Sequence, residues 1–539
     1  MIELIKSVNK KEWWLVIGIA TLLVIITAVP YLYGYFSTPE DMVYTGLHHF
    51  APGDTNVFLS MIEQVRQDEN IFINLYTSED QLRIYTNPLW LTVGWVAKIF
   101  SLSNLLSIHV VRSILIFIFV AVMYLFLSYL FKKIKKRKLI LLIILFSSGL
   151  GSFFNPFLYD TGNIYEHPTD IWVTESITFS TLFHTPHLTA SLTLIVVIFL
   201  FMLLAFEKNK YLYSVLAGFA CLLMLWFHPF NGPTIYGVLA VYLLIIFLRN
   251  KGITWSYIRH YAVLCLIPIP VVLYFYLMNK ADWVIRAWQS QNILPSPSVW
   301  MYLIGYGLLI PMLIFGLWSV FKKMDNKKSF VVAWFITSAI AIYVPISFQR
   351  RLSEGLHIPI AILAMLGILF VFNWIRSKRG KWSLWNSAFV MILLLFLPMT
   401  NFLIIGQDIT LYSKAKDLPY YIYQDEVNAM HWLRDNITID EITFSSKYMG
   451  SFIPAHSGRV VWIGHSPQTV DLLNKKEYQY WFWEDDNESE LKYDFLINNN
   501  IDYIFFGRKE KALGTYDPST KNYLDNVYSN KEVTIYKLL

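Results

Sequence analysis

Long apolar runs alternate with short polar or basic interruptions from residue 13 to residue 405. Crossing a hydrocarbon core of about 30 Å takes about 20 helical residues, so runs of that length read as spans. The pattern predicts roughly eleven such helices. They fall near residues 13–35, 108–131, 139–157, 187–206, 211–228, 233–249, 261–278, 299–321, 329–347, 356–375 and 384–405. After residue 406 the period changes. Residues 426–433 keep helical spacing, whereas 442–445, 460–463, 503–506 and 533–536 are short β-like runs separated by Asn and Asp turns. The expected architecture is a mainly α polytopic membrane protein over residues 1–405, followed by a small soluble α/β domain over 406–539. No internal repeat is visible, which gives little support to a transporter built from inverted halves.

Composition agrees with this reading. Of 539 residues, 55% are hydrophobic and 15% charged, against about a quarter charged in soluble domains. A net charge of +6 would raise the question of nucleic acid, but the Lys/Arg clusters lie between apolar runs, where they set topology. Membrane lipids, and no nucleic acid, are the expected partners. Cys221 and Cys265 both fall inside apolar runs, so no disulfide framework is implied. The run after Lys10-Lys11 is laid out like a signal sequence, but its core is long and no small-x-small site follows. It is expected to remain as the first span.

The basic residues fix an orientation. Lys132-Lys133-Ile134-Lys135-Lys136-Arg137-Lys138, Lys208/Lys210, Arg249/Lys251, Lys322-Lys323, Lys327-Lys328 and Arg376/Lys378/Arg379/Lys381 occupy alternate loops, and residues 158–186 contain no Lys or Arg. The positive-inside rule places the N-terminus in the cytoplasm of a multi-pass cell-membrane protein. An odd number of spans then puts residues 406–539 outside. Two further outer segments are large: 36–107, too long for a connector, and 158–186, acidic and rich in turn residues. Within the first, Asn87-Pro88-Leu89-Trp90-Leu91-Thr92-Val93-Gly94-Trp95 suits a short helix at the membrane surface.

Asp54 follows Pro52-Gly53, which reads as a turn, and Val57, Met61, Ile62 and Val65 then mark one helix face. Asp54 is on one reading simply the N-cap of that helix. Its wider setting carries a second reading. The layout resembles the C-type (GT-C) glycosyltransferase superfamily, whose members use polyprenyl-phosphate-linked sugars. The resemblance rests on Gly53-Asp54-Thr55-Asn56-Val57-Phe58-Leu59-Ser60-Met61-Ile62, Asn74-Leu75-Tyr76-Thr77-Ser78-Glu79, Asn87-Pro88-Leu89-Trp90 and Arg351-Leu352-Ser353-Glu354-Gly355-Leu356-His357-Ile358-Pro359. It implies a cytoplasmic N-terminus, a long first external loop, many spans and an external C-terminal domain. It also implies that the catalytic carboxylate stands at Asp54.

The chemistry fits those residue types. An acceptor hydroxyl must lose its proton as it attacks the anomeric carbon, the work of a positioned carboxylate. The departing lipid phosphate needs cationic partners, and guanidinium pairs phosphate bidentately. Arg350 and Arg351 stand in an outer loop otherwise poor in cations, and are expected to bind donor phosphate together with His357; the competing use is anchoring at headgroups. Glu175 is expected to support Asp54. Glu166 and Asp170 share its loop and read equally well as solvated charge. His48, His49, His184, His187 and His228 are expected to line one external cavity. Pro186 spoils metal-ligand spacing between His184 and His187, and no HExxH order is present. With no Asp-x-Asp in the chain, a nucleotide-sugar enzyme with that metal site is disfavoured; a divalent metal stays open, with Glu40-Asp41 also in the first loop, and no other cofactor is implied.

The expected function is an inverting membrane glycosyltransferase that moves a sugar from a polyprenyl-phosphate donor to an envelope glycan, lipid or protein on the outer side. A transporter or flippase of lipid-linked glycans is the rival, but it would need polar residues at mid-membrane depth that most spans lack. A noncatalytic envelope assembly protein is the third reading.

Overall fold

The computed structural model describes residues 1–50, 52–158, 163–379 and 384–539. Ala51, positions 159–162 of the second outer loop, and Lys381 of the last basic cluster lie outside the described residues. The chain forms two compact units. One comprises Met1–Pro30, Val110–Leu273 and Ile293–Gln407; the other comprises Tyr31–His109, Tyr274–Asn292 and Asp408–Leu539.

All eleven apolar runs are helical, but they are not equal. Among the described residues, eight helices are long and apolar enough to cross a membrane: Lys10–Phe36, Asn104–Leu130, Ile134–Phe154, Pro186–Lys208, Pro229–Asn250, Trp255–Ala281, Gln349–Lys378 and Leu384–Lys414. The run at 299–321 is broken into Val299–Tyr306 and Leu309–Lys322, which meet at 85°. Gly307 makes the break at a φ of 48°, where a Cβ would sit 2.8 Å from the Leu150 side chain; a non-glycine residue would meet both strain and a clash there. The remaining two runs, 211–228 and 329–347, give shorter helices, Tyr211–Phe227 of 17 residues and Asn326–Ala341 of 16, the second including Lys327-Lys328 in its first turn. Apolar length in the sequence therefore exceeds helix length where a bend intervenes, as at Gly307, or where the chain turns early, as after Ala341.

In the helical unit the helices Leu309–Lys322 and His357–Arg379 cross at close range. A Cβ on Gly316 would lie 1.9 Å from the Leu363 carbonyl oxygen, and one on Gly367 equally close to that of Met312. Small residues let these backbones touch, as is usual where lipid supplies no hydrophobic drive for helix association.

The second unit carries two sheets. β1 (Met42–Tyr44) pairs antiparallel with β2 (Tyr421–Tyr423). The larger sheet uses β3 (Ile442–Phe444), β4 (Val460–Val461), β5 (Ile501–Phe506), β6 (Leu524–Ser529) and β7 (Thr534–Leu538) in the order β4-β3-β5-β7-β6. β4, β3 and β5 are parallel, and β7 is antiparallel to both β5 and β6. Phe444, Phe482, Trp483 and Phe495 form the aromatic core on one of its faces. The helix Pro52–Arg66 buries Val57, Ile62 and Val65, three of the four positions expected on its inner face. It packs on Pro88–Ile99, where Phe58 stacks on Trp90 at 4.3 Å and Gly94 meets Val65. Asn87 caps that second helix by accepting from the N–H groups of Leu89 and Trp90.

Candidate functional site

Pro52 and Gly53 do not form a turn ahead of the helix; they are its first two residues, as suits a proline whose missing N–H costs nothing there. Asp54 consequently lies inside the first turn and not at the N-cap. Its negative charge still complements the helix dipole. Asp54 Oδ1 lies 3.2 Å from His465 Nε2, and its side chain is 45% exposed, so the carboxylate is reachable. The glycine before it lets the imidazole approach: a Cβ on Gly53 would lie 2.9 Å from His465 Cδ2.

The two histidines that precede this helix share a neighbour. His49 Nδ1 lies 2.8 Å from Asp408 Oδ1, which also accepts the His49 backbone N–H at 3.0 Å. His48 Nδ1 accepts the Phe50 N–H at 3.1 Å, and its ring packs edge-on to Tyr31. Donor atoms of His48, His49 and Asp408 all lie within 4.8 Å of one another. The set suits a borderline cation such as zinc or manganese. His49 Nε2 and Asp408 Oδ2 are buried without a hydrogen-bond partner, so unused capacity remains for one.

In the helical unit a second polar cluster is buried. Glu175 is only 6% exposed and accepts from the Thr174 hydroxyl at 3.0 Å. Burial raises its pKa, but Arg350 and Arg351 outweigh this and hold the carboxyl below its usual range. The arginines belong to the short 3-10 turn Gln349–Ser353. Arg350 lies over the Trp172 ring at 4.8 Å and Arg351 over Phe230 at 4.5 Å. Each has a buried Nε with no hydrogen-bond partner, and among the described residues neither forms an ion pair within 4.0 Å. Phe230 in turn packs on His228 at 5.4 Å, whose Nε2 lies 2.9 Å from Glu354 Oε2. Asn231 donates to the same Glu354 oxygen at 2.6 Å. His187 is 5.5 Å from His228, ring to ring, and its Nδ1 meets the Thr185 hydroxyl at 2.8 Å. His184 is buried at the C-terminal end of the helix Thr178–His184.

Two expectations about this unit change. Asp170 is not solvated loop charge but 1% exposed. Its Oδ2 accepts the N–H groups of Gly149 and Gly151 at 3.1 Å each, while burial pushes its pKa up to about 7. Gly151 leaves room for the carboxylate, since a Cβ there would lie 2.2 Å from Asp170 Oδ1. His357 is buried with both ring nitrogens engaged, Nδ1 by the Thr178 hydroxyl at 2.9 Å and Nε2 by Ser147 at 3.1 Å. A phosphate could use it only by displacing one of them. Glu166 is exposed. The five expected cavity histidines thus divide, His48 and His49 in one unit and His184, His187 and His228 in the other.

Asp408, His465 and Glu354 escaped the sequence reading as site residues. Asp408 had a signal: it is a lone carboxylate in an apolar helix, Met399–Lys414, that continues past the expected end of the last span. His465 had none, since it reaches Asp54 only through the fold of the C-terminal segment.

No protein-family model matches the sequence, and no curated protein does. Solved structures do match. The oligosaccharyltransferase of Archaeoglobus fulgidus in its apo form aligns over 92% of this chain and 70% of its own, with a TM-score of 0.58 at 13% identity. The same enzyme, AglB, in complex with an inhibitory peptide and a dolichol-phosphate, aligns over 93% and 70%, with a TM-score of 0.54 at 11% identity. The mycobacterial arabinofuranosyltransferase AftD aligns over 96% of this chain and 41% of its own, with a TM-score of 0.52 at 12% identity. The chain has the fold of these solved structures.

Proposed function

We propose that the protein transfers a sugar from a polyprenyl-phosphate donor to an envelope glycan, lipid or protein on the extracytoplasmic face of the cell membrane. The observation that carries the reading is the pair Arg350 and Arg351. Their guanidinium groups rest on aromatic rings, make no ion pair among the described residues, and keep buried Nε donors unused. A buried donor without a partner costs about 1–3 kcal/mol, and more when it is charged, a penalty that a phosphate oxygen relieves. Glu175, held ionised, moderates the two positive charges and orients them; in this reading it is a positioning residue and not the proton donor. His187, His228 and Glu354 complete the polar wall near Arg351. The dolichol-phosphate held by AglB and the acceptor peptide tethered to the same enzyme are of the kinds proposed here as donor lipid and acceptor.

Asp54 is the proposed general base. It takes the acceptor hydroxyl proton as oxygen attacks the anomeric carbon. The bond from that carbon to the phosphate oxygen breaks with inversion, and the lipid phosphate leaves with its charge. A cation held by His48, His49 and Asp408 would, when bound, supply Lewis-acid charge. The alternating basic loops support this choice of face.

Reconstituted vesicles holding a polyprenyl-phosphate sugar labelled in both sugar and lipid test the activity against the transporter reading. The expected result, with an envelope extract as acceptor, is release of free polyprenyl phosphate matched by label in the acceptor. Donor that stays intact while crossing between leaflets would mean a flippase.

A further inference from the structure

The helical unit contains a cavity of about 230 Å³ that none of the candidate site residues lines. Five lysines line it: Lys132 and Lys133 after the helix Asn104–Leu130, Lys136 in the helix Ile134–Phe146, and Lys327 and Lys328 in Asn326–Ala341. Behind them the wall is apolar, made by Leu130, Val331, Ile362 and Leu366. Lysines that only mark a cytoplasmic loop would spread into water. Lys136, Lys327 and Lys328 instead are half-buried. Lys327 is held over the Tyr129 ring at 3.9 Å and donates to the Tyr129 carbonyl oxygen.

The countercharge is incomplete. Asp325 lines the cavity and lies 3.6 Å from Lys328, and Glu207 acts on Lys327 across space. Arg137, from the same basic run, is turned into a buried pair with Glu12 and is not part of the wall. Among the described residues, five ammonium groups therefore stand against two carboxylates. Like charges brought together above an apolar floor repel one another unless an anion enters.

We propose that this cavity binds an anionic phospholipid. Its phosphodiester sits among the lysines, and the first methylenes of an acyl chain lie on the apolar wall. Basic pockets between membrane helices recognise anionic headgroups in this way. A choline headgroup would bring its own positive charge to the same lysines and is disfavoured.

Native mass spectrometry of the full chain, released from mixed micelles of phosphatidylglycerol and phosphatidylcholine with matched acyl chains, reads this directly. Retention of phosphatidylglycerol should exceed that of phosphatidylcholine by about tenfold, the scale of one to two lysine–headgroup contacts. Lys132→Gln with Lys133→Gln, both exposed positions, should erase most of that preference while melting in phosphatidylcholine micelles is unchanged. Lys135→Gln with Lys138→Gln, outside the cavity wall, should keep it. Equal retention of the two lipids, or equal loss in both double variants, would overturn the proposal. Displacement of phosphatidylglycerol by an equal concentration of inorganic phosphate would overturn it too, because the site would then read a free anion.

Discussion

Asp54→Asn should lower sugar transfer by roughly 10²–10⁴-fold, the usual contribution of a positioned base, while melting stays close to that of the native protein. The substitution keeps the side chain's size and an oxygen that can still accept from His465 Nε2 at the 3.2 Å seen here. What it removes is the capacity to take a proton. A purely structural role makes the opposite forecast. The carboxylate would then serve the first turn of Pro52–Arg66, where a charge contributes about 0.3–1 kcal/mol. Asp54→Asn would then cost about that contribution in stability and leave transfer intact. Measuring turnover and melting on one preparation separates the two, and an Asn variant with native turnover would remove Asp54 from the chemistry.

Arg351→Ala should weaken donor binding by about 1.5–3 kcal/mol, the scale of a hydrogen bond to a charged group, or roughly one to two orders of magnitude in affinity. Arg351→Lys should recover only part of it. Lysine restores the charge but neither the planar fork nor the stacking on Phe230. The loss should appear in affinity for the lipid donor, read by titration with a non-transferable polyprenyl-phosphate sugar analogue, with little change in acceptor dependence. If the arginines only anchor the turn Gln349–Ser353 at the headgroups, both variants would bind donor as the native protein does.

Much of the fold was legible because apolar length and basic loops are strong one-dimensional signals. All eleven runs became helices, and β3, β4, β5 and β7 formed within two residues of their expected places. What escaped was set by pairing at a distance. β1 and β2 are three residues each and pair across almost the whole chain, and β6, with exposed Asp525 and Asn526, lacks the apolar alternation that marks a strand. The break at Gly307 hides within a continuous apolar run, because a left-handed glycine changes direction without changing hydropathy. The site was legible in kind more than in partners. Asp54, Arg350 and Arg351 stand out as polar residues beside apolar runs, but the buried states of Asp170 and His357 depend on Gly149, Gly151, Thr178 and Ser147. Their contribution is backbone N–H groups and hydroxyls, which leave no mark in hydropathy.

The central claim is that Arg350 and Arg351 receive the phosphate of a lipid-linked sugar. A structure of the full chain with a non-transferable polyprenyl-phosphate monosaccharide tests it most directly. The account predicts phosphate density within hydrogen-bond distance of both guanidinium groups, with their buried Nε donors now satisfied. Phosphate density elsewhere, with both arginines unmoved on Trp172 and Phe230, would contradict it.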